Sequence, residues 1–541
     1  MYGIDEFLEI CLLPALLFGA IRGVNGVHDF PAFRMQQFDL HGTQHGSRSA
    51  YINMEARPAS AKMLNRRCVL ILLVDLTMEK FRELTISGAG AIVVIVPKNL
   101  SQLSQDFLEE WMDLEREILE EEPVNIPVYF VYDDETVLKI YEEVSHAITA
   151  DQASSAAAAL LDVFSTYGYQ VATSDISESK PKKDTLITSI QGKLIGRGIE
   201  DHLPTIAIVA HYDSFGIAPS LSFGADSNGS GVAALLELAR LFSRLYADSR
   251  TQAQYNLLFF LSGGGAFNYQ GTRKWIEDYE ANEGILTDAK YVLCLDTIGG
   301  SNSLHLHVSK PPKDGIPASI VQVIKGILCA ADLHEPPMNF TVVHKKINLA
   351  NELLAWEHET FSMKRLPAGT ISQKENSDAE GYSIFDKHVD VGVLKENTVV
   401  LAEGLAGLIF NLDVESFHLL GDEYSVSEEH VGAWVNYLSS FSRAAQLVGK
   451  DHPLLSSLEQ TLAKHVKDVR RYQTKPDKKE PEFVFYDIAE TKLYMYSVKP
   501  ALFDLFLTAG IVCYLFVVFY AIQSFSTISN LVLLHYKPKT A

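Results

Sequence analysis

Residues 205–213 read TIAIVAHYD, and residues 224–231 read GADSNGSG. The first stretch is a β-rich apolar run that stops at His211 and Asp213, and the second is a Gly/Ser-rich turn that leads into helical periodicity over residues 232–246. A buried strand that ends in polar residues and returns through a helix is the unit of a mostly parallel α/β sheet. In such sheets, functional side chains gather at the carboxyl ends of the strands. These two stretches therefore predict both a fold class and the location of a site.

Further runs of the same kind extend this prediction to residues 185–415. Residues 256–261 (NLLFFL) and 291–295 (YVLCL) are apolar and β-rich, and a later helix is predicted over residues 397–412. The expected large lobe is a mostly parallel sheet flanked by helices on both faces.

A smaller α/β lobe is predicted over residues 27–173. Its apolar runs are CVLILLVDL at 68–76, AGAIVVIV at 89–96 and IPVYFVY at 126–132, and they alternate with helical patterns such as residues 105–120. The polar stretch 174–184, which contains a proline, is typical of a linker. Residues 416–499 are predicted as a helical region, with an amphipathic helix over 453–472 and a solvated stalk that carries the charge run 475–482.

Apolar segments mark both ends of the chain. Residues 501–522 carry one charge, Asp504, and are predicted as a transmembrane helix, because a span needs about 20 apolar residues. The short basic tail, residues 523–541, predicts by the positive-inside rule that the C-terminus lies in the cytosol and the body outside it, or in the ER lumen. Residues 10–21 are too short for a span and fit the core of a signal peptide, residues 1–26, with small residues Val24 and Gly26 at a cleavage spacing.

The acidic start of the chain allows a second interpretation of the N-terminal segment. Asp5, Glu6 and Glu9 stand where a signal peptide normally carries Lys or Arg, so a buried helix is the alternative. A lumenal body would expose sequons to glycosylation. The candidate acceptors are Asn99, Asn228 and Asn339.

Charge and cysteine content exclude several classes of function. The net charge of −22 makes nucleic acid a poor partner, because phosphate binding needs clustered Lys and Arg. The cysteines are widely spaced without a CxxC pair, so they predict neither a disulfide framework nor a zinc knuckle, although one bridge stays possible. They are Cys11, Cys68, Cys294, Cys329 and Cys513.

The polar strand ends resemble those of the M28 family of zinc aminopeptidases. The resemblance covers about residues 184–412, and its most specific parts are HYD at 211–213 and the turn GADSNGSG. It implies two zinc ions held by two His, two Asp and one Glu, with a second Glu as general base on the metal-bound water. By position, His211 matches the first His ligand, Asp213 the carboxylate that orients it, and Asp296 the later Asp ligand.

The other positions of that set are lost. With residues 271–272 taken as the Gly-Ser step of the family, the bridging Asp falls on Ser227, the general base on Gly265, the Glu ligand on Ala266 and the last His on Asp386. Catalytic zinc needs three protein ligands and a water. The resemblance therefore implies a pseudoenzyme, with no metal, no other cofactor and no peptidase activity.

Two other functions stay open, a residual metallo-aminopeptidase and a lumenal module that binds peptide ends in the old cleft. His211 is most simply interpreted as a hydrogen-bonded residue at a strand end. His305 and His307 alternate in the strand-like run LHLHV and would face one side of a strand, but no further metal ligands can be identified near them.

Additional motifs narrow the resemblance to the nicalin family, ER-membrane relatives of nicastrin, the non-catalytic subunit of γ-secretase. They are FNYQGT at 267–272, CLDT at 294–297, WEHE at 356–359 and PEFVFYD at 481–487. This likeness implies a non-catalytic lumenal scaffold, held to the lipid bilayer, in a complex with the Nodal modulator protein and a small multipass ER membrane protein. It also implies that the complex assists the translocon with nascent multipass membrane proteins.

Overall fold

The structure is a computed structural model that describes residues 27–99, 103–150, 168–174, 178–199, 203–281, 289–330, 338–376, 382–412, 421, 424–498 and 501–525. The predicted signal peptide and the tail beyond residue 525 lie outside these ranges. Its strands are β1 (His28–Arg34), β2 (Gln37–Leu40), β3 (Thr43–Gly46), β4 (Asn53–Pro58), β5 (Cys68–Leu72), β6 (Ala91–Val96), β7 (Val128–Tyr132), β8 (Gly168–Thr173), β9 (Ile187–Leu194), β10 (Thr205–His211), β11 (Asn256–Ser262), β12 (Ala289–Leu295), β13 (Ser303–Val308), β14 (Asn339–His344), β15 (Ala368–Ser372), β16 (Lys467–Thr474), β17 (Phe483–Phe485) and β18 (Glu490–Val498). Its helices are α1 (Met78–Ile86), α2 (Gln105–Glu120), α3 (Glu135–Ala150), α4 (Gly229–Ala247), α5 (Gln270–Ala281), α6 (Gly315–Ala330), α7 (Glu357–Met363), α8 (Val391–Phe410), α9 (Glu428–Leu438), α10 (Pro453–His465) and α11 (Ala501–Gln523).

The large lobe is built on an eight-stranded sheet in the order β14-β13-β15-β12-β10-β11-β9-β16. At its centre β10 runs parallel to both β11 and β12, and β12 runs parallel to β15. The prediction of a mostly parallel sheet is confirmed for this centre. Antiparallel pairing of β9 with β11 and of β16 with β9 extends one side of the sheet, and this extension was not predicted.

Strand β10 forms because each of its side chains has an apolar core to enter. Alternate residues of a strand point to opposite faces of the sheet. Ile206 and Ile208 pack into the core that contains the apolar side of α4. Ala207 and Val209 pack on the opposite face, in a core that includes Trp275 of α5. Burial on both faces explains why the run TIAIVA is continuously apolar.

The small lobe is a closed barrel of seven strands, in the order β1-β18-β8-β4-β5-β6-β7. Strands β4 to β7 are parallel neighbours, as an α/β lobe predicts. Closure comes from β18, which pairs with β1 on one side and with β8 on the other. The sequence did not predict a barrel, because the strand that closes it, β18, is separated from β1 by more than 450 residues of the chain.

The segment predicted as a helical region and stalk contains three strands. The predicted helix over 453–472 ends as α10 at His465, and residues 467–474 form strand β16 instead. Strand β17 pairs with β2, and β18 joins the barrel. The charge run 475–482 therefore lies in a connection between paired strands, not in a free stalk, because both neighbouring segments are fixed by sheet hydrogen bonds.

Residues 501–523 form the continuous helix α11, directly after the barrel strand β18. In the part of the chain that the structure describes, no helix combines the length and the hydropathy needed to cross a membrane. The transmembrane span over residues 501–522 therefore stays a prediction.

The two lobes share a core that encloses a carboxyl group. Glu115 on α2 of the small lobe is only 1% exposed. Its Oε1 accepts hydrogen bonds from the backbone N–H of Ile217 at 2.5 Å and of Ile384 at 3.3 Å, both in the large lobe. Burial raises the pKa of Glu115 to about 7, and these hydrogen bonds only partly oppose that shift. Ile217 and Ile384 also belong to the same apolar cluster as Trp111 of α2, so the lobes pack as one body around this group.

We expect Glu115→Gln to remove a pH dependence of stability. The pKa of this carboxyl is 4.5 ordinarily and about 7 in the folded protein, so the folded chain keeps a proton that the unfolded chain releases. Wild-type stability should therefore fall as the pH rises through this interval and then level off. Since one pKa unit corresponds to about 1.4 kcal/mol, the fall attributable to Glu115 is about 3 kcal/mol.

Urea denaturation of wild type and variant at about pH 5 and about pH 8 gives the free energy of unfolding of each protein. The difference in this free energy between the two proteins should change from the lower to the higher pH. Glu117→Gln, at an exposed position of the same helix, should leave the pH dependence unchanged. Parallel pH profiles for wild type and Glu115→Gln would show that the buried carboxyl does not respond to pH in this way.

Candidate functional site

The carboxyl ends of four neighbouring strands bring the predicted site residues together. His211 ends β10, and Asp213 follows it. Gly265 follows β11, and Asp296 is the first residue after β12. Lys374 comes shortly after β15, the next strand in the sheet. Because parallel strands end at the same edge, these side chains meet in one polar cluster.

His211 lies at the centre of this cluster and is 2% exposed. Its Nδ1 is 3.5 Å from Oε2 of Glu357, the first residue of α7. Its Nε2 is 3.2 Å from the hydroxyl of Tyr382, and the ring of Tyr269 meets the imidazole edge-on at 5.7 Å between centroids. Glu357 is itself held, since its Oε1 accepts hydrogen bonds from Ser262 at 2.7 Å and from a neighbouring threonine. The His211 ring is thus enclosed by the protein's own side chains.

The position that the M28 resemblance assigns to the general base has no room for a side chain. A Cβ atom at Gly265 would lie 2.2 Å from Cδ2 of the His211 ring. The backbone N–H of Gly265 donates to Oδ1 of Asp213 at 2.9 Å, which fixes the glycine against the ring. The His211 ring can therefore occupy its observed position only because residue 265 has no side chain.

The turn that should carry a bridging aspartate is held by a carboxylate from another element. Asp386 accepts hydrogen bonds from the backbone N–H of Asp226 at 2.9 Å and of Ser227 at 2.7 Å. The Asp226 side chain points to different partners, the N–H of Gly299 at 2.8 Å and the amide of Gln373 at 2.7 Å. Burial and the nearby Asp386 raise the pKa of Asp226 to about 6. Asp386 thus holds the backbone of the turn, and the Asp226 side chain connects the turn to Gly299 and Gln373.

Arg443, in the connection between α9 and α10, binds the same turn through its guanidinium. Its guanidinium is fully buried and donates to the carbonyl oxygens of Tyr212, at the end of β10, and of Gly224, at the start of the turn. It also donates to Phe223 and to Leu438 at 3.1 Å each. A single cation therefore ties the strand end, the turn and α9 together.

Charges inside the cluster compensate one another. Burial lowers the pKa of His211, but the carboxylates of Glu357, Asp213 and Asp296 outweigh burial and raise it, which favours the imidazolium. Burial likewise acts to raise the pKa of Asp296, and Lys374 together with His211 brings it below its ordinary value. The arrangement therefore favours an ionised carboxylate beside two cations.

These residues do not fit a zinc centre. Ser227 and Ala266 offer no ligand where the resemblance requires one, Gly265 offers no general base, and Lys374 places an ammonium 4.0 Å from Asp296. Within the described ranges, no group of three or more His, Cys, Asp or Glu side chains is placed to hold a metal ion. His305 and His307 have other partners, since His305 Nδ1 is 2.6 Å from the Thr341 hydroxyl and His307 stacks on an indole ring.

Sequence reasoning missed four members of the cluster. Glu357 lies in the WEHE motif, which marked the family resemblance without an assigned role, and Lys374 follows a buried strand in the same way as Asp296 does. Those two could have been found from their positions next to strands and helices. Tyr382 and Arg443 carry no such signal, because their contacts come from distant segments of the chain.

The sequons differ in accessibility. Asn228 is the N-cap of α4, has a positive φ of 63° and is fully buried, so the folded chain does not present its amide to a glycan. The burial of Asn228 therefore argues against this acceptor in the folded protein, and its use as an acceptor stays a prediction. The side chains of Asn99 and Asn339 are exposed. Cys68, Cys294 and Cys513 are free thiols.

We expect Gly265→Ala to destabilise the protein, because the added methyl would overlap the His211 ring. Overpacking of this kind costs about 1–3 kcal/mol, and Gly265→Glu should cost more. Thermal unfolding of the variants against wild type measures the effect. Gly449→Ala is the matched control, since nothing lies within 4 Å of its added Cβ. Equal midpoints for Gly265→Ala and Gly449→Ala would contradict the steric explanation.

Comparison with known proteins places the chain in a family. The sequence profile of peptidase family M28 matches residues 194–328. The crystal structure of the gamma-secretase component Nicastrin superposes with a TM-score of 0.60, covering 86% of this chain and 99% of that one. The sequence identity of that pair is 12%, so the likeness is one of fold.

Sequence relatives are much closer. BOS complex subunit ncln of Danio rerio is 47% identical over 523 residues, which cover 92% of this chain and 91% of the relative. BOS complex subunit NCLN of Homo sapiens is 45% identical over 531 residues, which cover 96% and 93%. A Caenorhabditis elegans protein named Nicalin is 28% identical, in an alignment that covers 98% of each chain. By this identity over nearly its whole length, the chain belongs to the nicalin family, the family of BOS complex subunit NCLN.

Proposed function

We propose that this protein is a non-catalytic lumenal scaffold subunit of an ER membrane complex, with an M28 peptidase fold that no longer performs peptidase chemistry. Two observations together carry the proposal. The chain is 45–47% identical to proteins named as complex subunits. In its site, the ligand and base positions that the M28 resemblance assigns hold Ser227, Gly265 and Ala266. A protein that keeps a fold and not its reactive groups is expected to act through its surfaces.

The closed state of the cluster supports a scaffold more than either alternative. A module that binds peptide ends needs an open cleft, whereas His211 is 2% exposed and enclosed by Tyr269 and Tyr382. A residual aminopeptidase needs a general base, and the position for it is filled by the imidazole of His211.

We further propose partners and a membrane attachment. The family resemblance implies the Nodal modulator protein and a small multipass ER membrane protein as fellow subunits, and the translocon with nascent multipass membrane proteins as the place of action. Helix α11 supports an attachment to the bilayer, because large apolar side chains such as Leu505, Phe516 and Ile522 are exposed on it. The basic tail after it supports a cytosolic C-terminus and a lumenal body.

Affinity purification of the tagged full chain from mild detergent tests the scaffold proposal. We expect the Nodal modulator protein, a small multipass protein and translocon components to co-purify in comparable amounts. An unrelated tagged ER protein with one span controls for detergent carry-over. Recovery of the chain without any membrane-protein partner would falsify the proposal.

Glycan mapping tests the lumenal placement separately. If the body lies in the lumen, the exposed side chains of Asn99 and Asn339 are available, and we expect an endoglycosidase to increase the mobility of the wild-type chain on a gel. Asn99→Gln and Asn339→Gln should each remove one glycan, whereas Asn228→Gln should remove none, because that side chain is buried. A chain without any glycan would contradict the proposed topology.

A further inference from the structure

The carboxyl edge of the large sheet buries several acidic side chains. Asp296 is 8% exposed, Glu357 3% and Asp213 1%. Moving a carboxylate from water into a protein interior costs several kcal/mol unless a positive or hydrogen-bonding partner compensates it. The M28 resemblance implies zinc as such a partner, but Ser227 and Ala266 offer no ligand for it here. The cations of the chain itself are the candidates for that role at this edge.

Lys374 is a buried cation in the right place to do so. Its side chain is 9% exposed, and its Nζ lies 4.0 Å from Oδ2 of Asp296. The same ammonium lies 5.2 Å from the centroid of the Tyr382 ring, within the range of a cation–π interaction. Tyr382 in turn contacts Nε2 of His211. Lys374 is therefore connected to the residual His and Asp positions at the same time.

The backbone that carries Lys374 is fixed to the site by its neighbours. Ser372, the last residue of β15, donates its hydroxyl to Oδ2 of Asp296 at 2.8 Å. Gln373 donates its amide to Asp226 at 2.7 Å, and its own N–H bonds to the carbonyl of Thr297 at 2.8 Å. Three consecutive residues thus contact Asp226 or Asp296. Such a fixed backbone sets the point from which the Lys374 side chain extends towards Asp296.

We propose that Lys374 takes over the electrostatic role of the lost metal ion, so that the chain supplies its own cation to keep the carboxyl edge closed. The ammonium balances Asp296 directly, and through the Tyr382 ring it holds the residue that covers His211. This role is one of positioning and charge balance. It explains how the strand ends keep an acidic residue after the ligand set has been lost.

The alternative is that Lys374 acts by packing alone, since a long aliphatic stem can fill space beside aromatic rings. The two roles predict different results when Asp296 is also changed. If Lys374 only packs, the effects of Lys374→Met and Asp296→Asn on stability are independent and add. If the charges compensate each other, removing both costs less than the sum, because neither is left buried without a partner.

A double-mutant cycle on the full chain in detergent separates these roles by thermal unfolding. We expect Lys374→Met to lower the midpoint by roughly 5 °C or more, Asp296→Asn to lower it as well, and the double variant to recover at least about half of the larger loss. Lys374→Arg, which keeps the charge, should stay closer to wild type than Lys374→Met. Additive losses in the double variant would overturn the proposal.

Two controls keep the result interpretable. Lys395→Met makes the same substitution in an exposed ion pair with Glu428, 3.1 Å apart, and should shift the midpoint by less than about 1 °C. If Lys374→Met alone fails to fold, the proposal still requires the double variant to fold, and its failure would count against compensation. Addition of zinc chloride should not raise the wild-type midpoint, because a rise would mean that the site still takes the ion that Lys374 is proposed to replace.

Discussion

Buried carboxylates require positive charge within reach, and this requirement shapes the whole carboxyl edge of the large sheet. Asp213 and Asp296 sit at strand ends that the parallel pairing of β10 with its neighbours brings together. Around them the chain places the imidazole of His211, the ammonium of Lys374 and the guanidinium of Arg443, each from a different segment. Because the compensating groups come from the body of the large lobe itself, the edge is stable only when these segments are packed against one another.

The same arrangement accounts for how a peptidase fold could persist without its chemistry, as proposed for this chain. Catalysis depends on open coordination positions and on a base with room to move, whereas the fold depends on the strand cores and on satisfied polar groups at the edge. Gly265 meets the needs of the fold but not those of catalysis, because the absent side chain lets the His211 ring occupy the space that a base would need. The cluster then resembles a packed polar core more than a binding cleft.

The sequence predicted features whose cause is local and missed those whose cause is distant. Strands β10 to β12 and helix α2 were predicted because continuous apolar runs and helical periodicity appear in the segments themselves. Single positions were also enough to predict the loss of zinc ligands, because Ser227 and Ala266 stand where the M28 resemblance places them. The partners of His211 were not, since Glu357 and Tyr382 follow it by well over a hundred residues and only the fold brings them together. The helix predicted to run on to residue 472 shows a further limit, because sheet pairing with β9 overrides the helical pattern after His465.

Closure of the barrel by β18 has a consequence for the order in which the protein can fold during synthesis. Until residues 490–498 leave the ribosome, the other six strands form only an open sheet, and its unpaired edges are β1 and β8. Open edges of this kind invite pairing with other chains. The strand that protects them is translated near the end of the chain, immediately before the apolar helix α11. Completion of the small lobe is therefore tied in time to the appearance of that helix, so the earlier strands need protection for most of the period of translation.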